Sequence, residues 1–121
     1  MKLDPNDELW SRCVKLRDGY KCRYCGRLGK LRGMHAHHFV GRRYRNTRWV
    51  VDNGICLCFA CHNVMQDFPL VNKDFFIKTV GSDRAEELEI LARTIKKVDK
   101  NLISLSLKRK LDCWRGNEWE V

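Results

Sequence analysis

Two cysteine pairs, Cys22-x2-Cys25 and Cys58-x2-Cys61, bring four soft thiolates together in two tight turns. That is the donor set a tetrahedral structural zinc takes. The 32 residues between the pairs exceed the roughly 15 to 20 of a simple two-knuckle zinc pattern, so the intervening chain must fold into something of its own. A redox dithiol, or thiols that merely pack, are the other readings of a Cys-x-x-Cys pair, and neither explains two matched pairs. Cys13, Cys56 and Cys113 stand outside the pairs and read as packing thiols.

The intervening chain contains "MHAHHFVGRR", residues 34 to 43, which holds three of the four histidines. His37 and His38 are adjacent, Asn53 follows after 14 intervening residues, and His62 follows Asn53 after a further 8. "HH", "N" and "CH" at these separations, bracketed by the cysteine pairs over residues 22 to 62, resemble the HNH endonuclease family of the ββα-metal superfamily. The resemblance implies metal-dependent hydrolysis of a DNA phosphodiester. In-line cleavage needs an activated water on one side of phosphorus and a stabiliser of the developing charge on the other. Carried over position by position, the resemblance implies that His38 is the general base, a task that suits a neutral imidazole. It implies His37 and His62 as ligands of the catalytic metal, and Asn53 as the residue that fixes the hairpin and orients the His38 ring. The zinc held by Cys22, Cys25, Cys58 and Cys61 would support the site, because His62 directly follows the second knuckle. Some HNH enzymes carry a further metal-binding histidine four residues on, where this chain has Gln66. Two imidazoles completed by water and phosphate oxygens suit Mg²⁺ or Mn²⁺. His35 lies outside the motif and reads as an exposed strand or loop histidine.

Arg42, Arg43, Arg45 and Arg48 fall between His38 and Asn53, with Tyr44 and Trp49 interleaved. Guanidiniums flanking a metal can pair bidentately with phosphates, which positions a backbone without reading its sequence. Trp49 beside Val50 and Val51 reads as core, and "KRK" at 108 to 110 reads equally as added basic surface or as a solvated helix face. "TRWVVDNGICLCFACH", followed by "VNKDFFIKTVGSDRAEELEILA" and a basic last helix, is similar to NinG/Rap-type phage recombination nucleases, which implies branched or recombination-intermediate DNA as substrate. Two other classes stay open: a non-catalytic zinc-ribbon DNA-binding module, and a phage packaging nickase active only with partner proteins. A homodimer, which would allow both strands to be cut, is also left open.

The elements that must position these residues follow from patterning. "DPNDELWSRCVKLRDGY" predicts a helix with Asp4 as N-cap, Pro5 at its first position, Asp7 closing a capping box and Asp18-Gly19 at its end. Leu9, Trp10, Cys13, Val14 and Leu16 form its apolar side, leaving Arg12, Lys15 and Arg17 for water. Short strands are predicted around Leu31 to His38 and Trp49 to Val51, and "CFACHNVMQ" begins a short helix. Asn72 is expected to cap a helix that Gly81 stops, and Asp83 with Glu86 to form a capping box for a helix whose stripe is Leu88, Leu91, Ile95 and Val98. "LISLSLKRKLDCW" predicts a final basic helix. The whole is an α+β fold with a ββα-metal core and a structural zinc site of four cysteines: one domain over 1–121, with an N-terminal helix in 1–19, the core in 20–66 and a helical extension in 67–121. Twenty-four Lys and Arg against fifteen Asp and Glu give a net charge of +9, which favours a polyanion such as duplex or branched DNA. "MKLDPNDELW" breaks the apolar stretch a signal peptide needs, and an odd number of cysteines with two Cys-x-x-Cys pairs fits a reducing, cytoplasmic setting. No apolar run reaches the length of about 18 residues that spans a membrane.

Overall fold

The computed structural model describes residues 2–29 and 33–119, with the helical backbone alone for 115–119. Helix α1 (Pro5–Arg17) starts as the capping pattern requires: the Asp4 carboxylate accepts from the Asn6 N–H, and Asp7 accepts from the Asp4 N–H at 2.7 Å. Trp10, Cys13 and Val14 are its buried side. Arg17 departs from the expected wet face. It reaches inward to the Val51 and Gly54 carbonyls at 2.9 and 2.7 Å and shares the buried Asp18 carboxylate with Arg23.

The core motif is a hairpin followed by a helix. Strand β1 (Met34–His38) runs antiparallel to β2 (Gly54–Cys58), with His38 opposite Gly54 and Met34 opposite Cys58, and β2 leads directly into α3 (Phe59–Asp67). The Leu31 end of the predicted first strand lies outside the described residues. The second strand is displaced from its predicted place. Trp49 to Val51 instead form a turn that continues into a 3-10 segment (Val51–Asn53), because the Trp49 indole is drawn down onto Asp7. The actual strand, GICLC, is buried at every position, so it lacks the alternation that marks a half-exposed strand.

Helix α4 (Pro69–Val80) begins at Pro69, which places Asn72 inside it rather than at its cap. Gly81, at φ 90°, ends α4 and directly precedes α5 (Ser82–Arg93). Asp83 and Glu86 therefore lie within the first turns of α5 and form no capping box. The predicted stripe also breaks: Ile95 lies beyond the helix end and is exposed, while Val98 packs against the α1 cluster. Helix α6 spans Lys100–Trp119. The hairpin is thus clothed by two cores, one built from α3, α4 and α5 around Ile55, Leu57, Phe76 and Leu88, the other from α1 and α6 around Trp10, Val14, Leu107 and Leu111. Among the described residues no helix is long and apolar enough to cross a membrane.

The loop between the strands carries a short helix, α2 (Arg45–Arg48). Arg48 is a correction to the expectation of phosphate contact. It is buried, and its Nε and Nη2 donate to the Asp7 carboxylate at 2.8 and 2.6 Å while Nη2 also reaches the Lys2 carbonyl. Burial alone would raise the Asp7 carboxyl, but its hydrogen bonds to Arg48, Asp4 and Trp49 override this and hold it below its usual 3.8. Arg48→Ala removes the cationic partner of that half-buried carboxylate and leaves it only the Asp4 N–H and the Trp49 indole, so the expected result is a loss of about 3 kcal/mol in urea unfolding. DNA affinity of the molecules that remain folded should be unchanged.

Candidate active site

The four cysteines converge at the end of the hairpin where Cys58 pairs with Met34. Cys22 and Cys25 sit on a turn closed by the Gly26 N–H to the Cys22 carbonyl, with Gly26 at φ 84°, while Cys58 ends β2 and Cys61 lies in the first turn of α3. All four sulfurs lie within 4.8 Å of one another, and Cys25 Sγ is 3.8 Å from Cys58 Sγ. Tetrahedral Zn–S bonds of about 2.3 Å place sulfurs about 3.8 Å apart. The donor set therefore fits zinc. Burial pushes the Cys22 thiol up, but backbone N–H groups of Cys25, Cys58 and Tyr24 reverse this and bring it to about 6, towards the thiolate a metal needs.

The imidazoles gather beside this cluster. His62 follows Cys61 on α3, its ring 5.2 Å from that of His37 on β1. His37 Nε2 donates to Asn72 Oδ1 at 2.7 Å, and Asn72 Nδ2 donates in turn to the Phe39 carbonyl, which fixes the amide and leaves His37 Nδ1 unprotonated. His62 Nδ1 is buried with no hydrogen-bond partner among the described residues. His35 is less exposed than its sequence position suggests: alternate strand residues share a face, so it follows His37 and stacks beside His62 at 4.9 Å.

His38 points to the other side of the strand. Its Nε2 donates to the Arg48 carbonyl at 2.9 Å, leaving Nδ1 as the acceptor nitrogen, and its ring lies on Trp10 at 3.8 Å. Burial outweighs the bond to the Arg48 carbonyl and brings the ring down to about 4. Among the described residues Asn53 makes no side-chain hydrogen bond to His38. Fully buried, it accepts from the Val40 N–H and donates to the Val40 and Thr47 carbonyls at 2.8, 2.9 and 3.1 Å. The loop so pinned delivers the Arg48 carbonyl to the ring.

His37, His38, His62, Gln66, Trp10 and Arg42 line one cleft of about 580 Å³. Arg43 and Arg45 face a neighbouring hollow with Lys2 and Lys100. The sequence-selected histidines thus line one cleft, while Asn53 is buried in the loop between the strands and Arg48 is held on Asp7.

The HNH endonuclease family model matches residues 22–67. No curated protein and no solved structure gives a match. The HNH segment contains both cysteine pairs, the hairpin and α3, but contributors to the site lie outside it, Asn72 and Trp10 among them. Asn72 on α4 reads as a helix cap in the sequence, and Trp10 on α1 reads only as core; no local pattern marks either as a partner of a distant histidine.

Burial keeps all three of these HNH-segment histidines below the usual 6.5, His38 and His62 at about 4. In the unfolded chain they bind protons below about 6.5, whereas in the folded chain, with zinc held and the catalytic cation absent, His38 and His62 resist until about 4, so stability must fall as pH drops through that window. Urea midpoints measured across it should decline. The decline should shrink in His38→Phe, which has no proton to take up there, and this separates it from protonation of the cysteines.

Proposed function

We propose that the chain is a metal-dependent DNA endonuclease whose HNH segment supplies the catalytic groups. The observation that carries this reading is His38: neutral, edge-bonded through Nε2 and lining a cleft shared with two further imidazoles. A divalent cation, Mg²⁺ or Mn²⁺, would supply charge neutralisation at the scissile phosphate and leaving oxygen when bound. The unprotonated Nδ1 of His37 and the unpartnered Nδ1 of His62 fit the ligand role. His38 Nδ1 accepts a proton from the attacking water, and the Arg48 carbonyl on Nε2 steadies the imidazolium that forms. Asn53 keeps that carbonyl in place. Arg42 at the cleft wall pairs with the phosphate, and Arg43 and Arg45 hold the flanking backbone. The products are 5′-phosphate and 3′-hydroxyl ends.

Asn72 sets which nitrogen His37 offers. Asn72→Ala is therefore expected to weaken Mn²⁺ binding by about 10- to 100-fold, read by calorimetry, without loss of zinc.

The finer substrate, branched or recombination-intermediate DNA, rests on the NinG/Rap-type resemblance of the sequence. Cleavage of a four-way junction beside a linear duplex of matched length tests it, and equal rates on both would refute the preference. A protein that binds DNA but never cuts, in either metal, would instead be a zinc-ribbon binding module or a nickase that needs partner proteins.

A further inference from the structure

We propose that Trp10 is a positioning residue for His38: its indole is the flat wall that holds the imidazole with Nε2 on the Arg48 carbonyl and Nδ1 available to a water. The proposal rests on the reading of His38 as general base. Trp10 belongs to α1, outside the HNH segment.

The two rings lie face to face, centroids 3.8 Å apart and planes within 7°. The indole is itself immobilised, since Nε1 donates to the Val50 carbonyl at 2.8 Å and the ring is packed among Cys13, Val14, Leu107 and Leu111. A wall that cannot move restricts the imidazole to rotation in its own plane, and the hydrogen bond to Arg48 removes that freedom too.

Gly54 shows that this approach is built into the hairpin. It is the β2 partner of His38, and a Cβ there would come within 2.4 Å of Trp10 Cζ2 and 2.6 Å of Val14 Cγ2. At φ −130° its backbone is open to any residue. Glycine is therefore required for space, so that the indole can slide over the strand pair and reach the imidazole. The same helix governs the edge of the ring as well. Asp7, one turn before Trp10, clamps the Arg48 side chain and the Trp49 indole, and the Arg48 carbonyl is the acceptor of His38 Nε2. α1 thus holds the base by its face and, through Asp7, by its edge.

A tryptophan that only filled the core would need volume, whereas a positioning tryptophan needs a flat face. Trp10→Phe keeps the flat face and Trp10→Leu removes it, while both lose volume. The expected result is kcat within a few-fold of wild type for Trp10→Phe and about 100-fold lower for Trp10→Leu, with KM and zinc content unchanged in both. Nitrogen-15 NMR of His38 should show the Nε2-protonated tautomer in wild type and Trp10→Phe and a tautomer mixture in Trp10→Leu. Gly54→Ala, which displaces the indole without altering it, should reproduce the Trp10→Leu result and serves if that variant does not fold. Equal kcat and equal His38 tautomers in Trp10→Phe and Trp10→Leu would overturn the proposal and leave Trp10 as core. If the wild type cuts no DNA but the tautomer still follows ring flatness, the nuclease reading fails and the positioning role stands.

Discussion

His38→Ala is expected to lower metal-dependent conversion of supercoiled plasmid by about 10²- to 10⁴-fold, the usual contribution of a positioned general base. With Nε2 committed to the Arg48 carbonyl and burial holding the pKa near 4, the ring enters neutral solution with one unprotonated nitrogen and no charge. An ordinary exposed histidine would be partly protonated near its usual value of about 6.5. Alanine removes the acceptor without removing a structural tie of consequence: the loop it touches is pinned independently by Asn53 through Val40 and Thr47. Zinc content, circular dichroism and DNA affinity should therefore survive, because the cysteine cluster and Arg42, Arg43 and Arg45 do not depend on the imidazole. Plasmid assays in Mg²⁺ and Mn²⁺ beside EDTA read the rate, and gel shifts read the affinity. If the variant cuts as fast as wild type, the base is another group; if both bind and neither cuts, the zinc-ribbon or partner-dependent reading takes over.

What is legible in the sequence and what is not divides along a physical line. Spacing identifies residues whose partners are fixed by local geometry. The Cys-x-x-Cys turns, the capping box of Asp4 and Asp7, and the stop at Gly81 are of this kind, and they appear in the structure where the sequence places them. Residues whose partners come from a distant element are not marked. Arg48 looks like any other arginine of a basic loop until α1 brings Asp7 against it. Asn72 looks like a cap until Pro69 starts its helix early and the amide is left to meet His37. The second strand escapes its predicted place for a related reason, since GICLC is covered on both faces and so carries no alternation to read. Even His35, which the motif leaves out, is brought to His62 by nothing more than the two-residue period of β1.

The largest expected effect belongs to the cysteines rather than to the histidines. Removing zinc, by a strong chelator or by Cys58→Ser, is expected to unfold the HNH segment outright, with one zinc released per chain in a chromophoric chelator assay and loss of cooperative thermal unfolding. Structural zinc contributes about 10–16 kcal/mol in small domains, as much as the roughly 5–15 kcal/mol that separates folded from unfolded states altogether. The position of Cys58 makes it the most sensitive of the four. It closes β2, precedes the first residue of α3 without offering a side-chain cap, and pairs across the hairpin with Met34. The Cys22 turn is tied to β2 chiefly by the Arg23 N–H to the Cys56 carbonyl and, from the end of α1 just before it, by the Cys56 N–H donating to the Asp18 carboxylate. Without the metal, four thiols crowded within 4.8 Å have no reason to stay together as any of them ionises. Loss of that clamp frees the start of α3, and His62, the next residue after Cys61, moves with it. Activity and fold should accordingly disappear together on zinc removal, whereas removal of the catalytic cation should stop cleavage and leave the fold standing. A purified chain that contains no zinc, or that unfolds with the same midpoint before and after chelation, would show that the cysteines pack without a metal and that the support for His62 comes from α4 instead.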